Sequence, residues 1–144
     1  MARRLFFAAT PARMAFSMIS IAIFFKTERT LSSIPLAGLA IGLNGLAGSL
    51  TAGIRGSVID RYGQKWPIRI LVPGYALGIL VLNQAATKNE ILLWAFLLGI
   101  SAPPINLSVR PLWKQIVNQN LLRTAYGLDT AIMSSTGIIG PALA

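Results

Sequence analysis

The chain has 144 residues, 54% of them hydrophobic and only 12% charged, with a mean hydropathy of +0.64; soluble domains carry charges at about twice that rate, so lipid is the expected solvent for much of it. The net charge of +9 comes from basic residues in short clusters between apolar spans, a pattern that argues against a nucleic-acid partner and for topogenic charge at a membrane surface. With no cysteine and no histidine, disulfides, the usual zinc sites and Ser-His-Asp or Cys-His catalysis are excluded; no cofactor, metal or catalytic residue is expected, and the chain does not read as an enzyme.

Five apolar segments are predicted, at residues 11–31, 34–54, 67–86, 91–109 and 124–144. The apolar centre of the first, Met14 to Phe25, is short for a hydrocarbon layer of about 30 Å and needs its flanks to reach both interfaces. Ahead of it, Ala2-Arg3-Arg4-Leu5-Phe6-Phe7 resembles a twin-arginine export signal, but no small-x-small cleavage site follows Phe25. A retained helix is expected. In the second segment Gly38, Gly42, Gly45, Ser49, Ala52 and Gly56 recur at three- or four-residue steps. Such small residues share one helical face and let backbones approach closely in lipid, so this face is expected to pack against another helix.

The fifth segment is still apolar at Ala144. Placing the N-terminus in the cytoplasm puts Arg3, Arg4, Arg13, Arg55, Arg61, Lys65, Arg69, Arg110, Lys114 and Arg123 inside, and only Lys26, Arg29 and Lys88 outside. That bias predicts an N-in, multi-pass protein of the inner membrane. Trp66, Trp94 and Trp113 fall near the predicted interfaces and fit an aromatic belt.

Between the second and third segments the chain reads Gly56-Ser57-Val58-Ile59-Asp60-Arg61-Tyr62-Gly63-Gln64-Lys65, or G-x-x-x-D-R-x-G-x-K. Its glycines allow a tight reversal, and its charges lie at the edge of a low-dielectric slab. The pattern resembles the signature loop between the second and third helices of the major facilitator superfamily of transporters. Two further stretches agree. Ala102-Pro103-Pro104 followed by Ser108-Val109-Arg110-Pro111-Leu112-Trp113 looks like the proline-broken fourth helix and its cytoplasmic arginine. Gly137-Ile138-Ile139-Gly140-Pro141 is similar to the glycine-proline motif of the fifth helix in exporters, although Thr136 and Ala144 stand where further glycines are expected.

The resemblance implies an all-α, polytopic transmembrane bundle equivalent to an incomplete N-terminal half, five helices where the family has twelve. It implies secondary-active transport of a small solute by alternating access, with efflux as the direction, and a missing C-terminal half or partner subunit. It also implies a conformational-switch role for Gly56, Asp60, Arg61, Gly63, Lys65 and Arg110, with Asp60 pairing with Arg110, and a packing role for Gly140 and Pro141 beside that of Gly38, Gly42 and Gly45. The alternative is a truncated, non-transporting membrane protein, or a helical module that partners another membrane subunit.

Few polar residues remain for a solute path or for coupling. Asp129 enters the fifth apolar segment, and an acid there is a candidate for coupling; the alternative is an interfacial residue paired with Arg123 or Arg110. Asn106, beside Pro103 and Pro104, is a candidate cavity residue. Asn44, near the glycine face, reads as a hydrogen-bonding link between helices.

Overall fold

A computed structural model of the chain describes residues 2–63, 65–103 and 119–143, with the backbone alone at 2–12, 141 and 143. Its regular elements are helices α1 (Ala2–Leu31), α2 (Ile34–Tyr62), α3 (Lys65–Gln84), α4 (Lys88–Ser101) and α5 (Leu122–Leu143), the last preceded by a 3-10 turn at Gln119–Leu121. No strand occurs among the described residues. The chain is all-α, as its sequence predicts. Two helices, α2 with 29 residues and α3 with 20, are long and apolar enough to cross a membrane.

The chain divides into two compact units, Ser20–Pro104 and Met1–Ile19 with Ile105–Ala144. In the first, α1 gives way to α2 across two serines. Ser32 takes a left-handed φ of 50° and donates its N–H to Glu28 O at 2.7 Å. Ser33, in extended conformation, caps α2 by accepting from Leu36 N at 3.4 Å, and Pro35 occupies the first turn, where a missing N–H costs nothing.

α2 then runs well past residue 54. The segment predicted as a loop is its last two turns, because nothing from Ile54 to Tyr62 breaks a helix until Gly63 takes φ +75°. α3 starts at Lys65 rather than 67 because its Pro67 falls within a first turn that tolerates it. α4 starts at Lys88 rather than 91, held by a capping box: Thr87 accepts from Glu90 N while the Glu90 carboxylate accepts from Ala86 N and Thr87 N at 3.0 and 3.1 Å. It ends at Ser101, where Pro103 forces Ala102 into an extended conformation. Residues 104–109 of the predicted fourth segment lie outside the described residues.

α4 packs against both α2 and α3. Asn44 on α2 donates from Nδ2 to Ala95 O at 2.9 Å, and Gly48 faces Gly99 O. Residue numbers rise together on both sides of this seam, so α2 and α4 run parallel, as two successive reversals require. The approach is close: a Cβ on Gly99 would fall against Asn44 O and, at 2.8 Å, the Ala47 Cβ. On the other flank a Cβ on Gly78 of α3 would meet Leu98 Cδ2 at 2.9 Å.

Ile91 and Leu98 of α4 are buried, but the α2–α4 seam itself is built mostly from small residues, while many large apolar side chains are exposed. Ala37, Ala40, Ala47, Ala95 and Gly99 are buried, whereas Leu39, Leu46, Leu50, Ile54, Ile70, Leu77, Leu80 and Leu93 face outward. A water-soluble domain buries its leucines first; helices in lipid associate through close-packed small residues and leave large apolar side chains to the acyl chains. The hydroxyls follow suit. Thr27, Thr51, Ser57 and Ser101 donate to carbonyls four residues earlier at 2.7–3.0 Å, so they carry no unmet donor into an apolar solvent.

The second unit brings the first part of α1 beside α5. α1 begins at Ala2 rather than 11 and runs on through Pro11, and α5 starts two residues ahead of 124. Ser17 Oγ lies within donating distance of Met14 O at 2.8 Å and Thr136 O at 2.9 Å. Gly140 is buried where a Cβ would strike Ser17 Oγ and come within 3.3 Å of Met14 O.

Candidate functional site

The motif residues collect at the C-terminal end of α2. Gly56 is half-buried on the helix, and a Cβ there would meet nothing within 4 Å. Asp60 and Arg61 are exposed in its last turn, and the Arg61 guanidinium sits 5.7 Å from the centre of the exposed Tyr62 ring. A cation in this position faces the negative end of the helix. Gly63 supplies the left-handed residue that ends α2, and exposed Lys65 opens α3. Arg110, the expected partner of Asp60, lies outside the described residues, as does Asn106.

Directly before Gly56, the first residue of the motif, Arg55 reaches across from α2 to the end of α4. Its Nη1 donates to Gly99 O at 2.7 Å and Ile100 O at 2.9 Å, and its Nη2 donates to Gly48 O at 2.7 Å. The last carbonyls of a helix have no partner within it, and here a guanidinium from a neighbouring helix supplies one. In the sequence Arg55 carries only the signature of a topogenic charge; its closeness to a helix end 44 residues later has none in a linear pattern.

Gly38, Gly42 and Gly45 are exposed, and a Cβ on any of them would meet nothing within 4 Å. Within this chain the seam of α2 lies instead on the neighbouring face, through Ala40, Asn44, Ala47 and Gly48. The reason is chemical as well as steric: that face offers the Asn44 amide, which can link to α4, besides small side chains. Asn44 does serve as the link between helices that its sequence context predicts.

In the other unit, Asp129 on α5 meets Arg13 on α1. Arg13 Nη1 donates to Asp129 Oδ1 at 2.8 Å, with the two side chains 5% and 2% exposed. This corrects the pairing expected for Asp129. Arg123 stands six residues away, about 120° around the helix, and is exposed. Among the described residues no other ion pair is formed, and no group of three or more acidic, cysteine or histidine side chains is placed to hold a metal. Both partners were visible as charges bordering apolar segments; that they meet was not.

No family model matches the chain, and no solved structure matches it. A curated protein does. The probable nitrate/nitrite antiporter NarK1 of Thermus thermophilus is 28% identical over 134 residues, which are 92% of this chain and 30% of the relative. The likeness points to a transporter. The chain spans under a third of that relative's length, and the match suggests, alongside the motif at the end of α2, membership of the major facilitator superfamily.

Proposed function

We propose that the chain is the N-terminal part of a major-facilitator permease of the inner membrane, N-terminus in the cytoplasm, which moves a small solute by alternating access together with a C-terminal half or partner subunit. The observation that carries this reading is the match along 92% of the chain to a protein named as an antiporter. It is supported by the motif residues gathered at one helix end and by two helices able to cross a membrane. Nitrate and nitrite, the ions in that relative's name, are the first solutes to try, and the Gly140-Pro141 segment favours efflux as the direction.

In this reading Gly56, Asp60, Arg61, Gly63 and Lys65 form a latch that holds one conformation closed, with Arg110 as the partner of Asp60. The outward face of Gly38, Gly42 and Gly45 packs against a further helix, Gly140 and Pro141 shape the packing of α5, and Asn106 borders the solute path. The test is solute flux in proteoliposomes containing the intact transporter and its Asp60→Asn variant. Flux is expected to fall about tenfold, the scale of a typical coupling free energy, with insertion unchanged. Equal flux in both proteins would remove the latch.

A further inference from the structure

The Arg13–Asp129 pair is buried, yet three of its polar atoms have no hydrogen-bond partner among the described residues. Nη1 donates to Oδ1, while Nε and Nη2 of Arg13 and Oδ2 of Asp129 are buried without a partner among the described residues. A guanidinium has a side-on edge, Nε–H with Nη2–H, whose parallel bonds match the two oxygens of a planar oxyanion. Asp129 takes Nη1 and leaves that edge whole. The nearby hydroxyls do not fill the gap: Ser17 donates to backbone carbonyls, and Thr136 donates to Met133 O at 3.0 Å. Buried donors and acceptors without partners are costly, and two apolar side chains would occupy the same volume without that cost.

The charges narrow the ligand. Arg13 and Asp129 cancel each other. A lone anion on the guanidinium edge would leave a net negative charge in a low-dielectric site and Oδ2 still unmet. A lone cation on Oδ2 would leave both nitrogens unmet. A molecule carrying a carboxylate beside an ammonium meets all three atoms and keeps the site neutral. We propose that Arg13 and Asp129 form a recognition site for a small zwitterion, with its carboxylate on the Nε/Nη2 edge and its ammonium on Oδ2. This deepens the transport reading, on which it rests for the route by which a solute reaches a buried pair.

The test is scintillation-proximity binding of radiolabelled glycine, alanine and serine to the full chain in nanodiscs, with unlabelled nitrate, acetate and methylammonium as competitors. Saturable binding of at least one of the amino acids is expected, with the simple ions competing about tenfold more weakly because each meets only part of the site. Arg13→Lys keeps the charge but lacks the side-on fork, so binding should fall about tenfold with little change in melting temperature. The double variant Arg13→Met, Asp129→Leu removes the site while filling its volume and should abolish binding in a folded protein. No saturable binding in the parent, nitrate competing as well as the amino acids, or undiminished binding in both variants would overturn the site. Flux of another solute, unaffected by Arg13→Lys, would sink this site and leave the transport reading standing. Binding without flux of any solute would do the reverse.

Discussion

Asp129 shows how far a single residue can be read from sequence. Its charge within an apolar segment marks it as a residue needing a partner, and its neighbours along the chain supply two plausible cations. The partner is instead Arg13, 116 residues away, because a helix has faces and only tertiary packing decides which face meets another helix. Breaking a buried pair from one side leaves an uncompensated charge, so Asp129→Ala should destabilise the protein by about 3–5 kcal/mol, read as a lower melting temperature in detergent. Replacing both partners, Arg13→Met with Asp129→Leu, should recover most of that loss. If the two variants melt alike, the pair is not what makes the single substitution costly.

At the scale of the helices, the segments were legible and their ends less so. Apolar runs mark where helices lie, yet α2 extends through the charged motif because charge alone does not end a helix; Gly63 does. The Thr87-to-Glu90 capping box, which hydropathy alone does not mark, moves the start of α4 to Lys88. Backbone N–H groups of Ala86 and Thr87, with the Thr87 hydroxyl, hold the Glu90 carboxyl below its ordinary range. The sign follows from that lowering: the ionised carboxylate caps α4 above the ordinary glutamate range, and its contribution is lost as pH falls through the lowered value. The protection of the Ala86 and Thr87 amides against hydrogen exchange, taken relative to the intrinsic rate at each pH, should therefore fall under acid, and Glu90→Gln should flatten that dependence. The α2–α4 seam gives a second test. Gly99→Ala must push the helices apart and should cost about 1–3 kcal/mol, whereas Gly42→Ala, measured in the 144-residue chain by itself where that face is exposed, should be neutral or stabilising by up to about 1 kcal/mol. Equal melting temperatures for the two variants would mean that α2 and α4 do not approach at Gly99.

For the whole molecule, the all-α class is what the apolar segments and the family resemblance imply, and the proposed orientation rests on where the basic residues fall. Packing qualifies the orientation argument: Arg13 is neutralised by Asp129 and Arg55 is engaged at the end of α4, so neither acts as a free surface charge. The remaining cations on the proposed cytoplasmic side still outnumber Lys26, Arg29 and Lys88. Because the chain has no cysteine, single substitutions report topology directly. Lys88→Cys in whole cells should react with an impermeant maleimide, and Tyr62→Cys only after the membrane is opened. The reverse pattern would invert the orientation. One joint has a consequence for how variation can act on this protein. Arg55 grips main-chain oxygens of Gly48, Gly99 and Ile100, and every residue at those positions presents the same oxygen. The rivet is thus encoded at one position alone: exchanging the Ile100 side chain leaves it in place, and no new side chain at positions 48, 99 or 100 can restore the cation once Arg55 is lost.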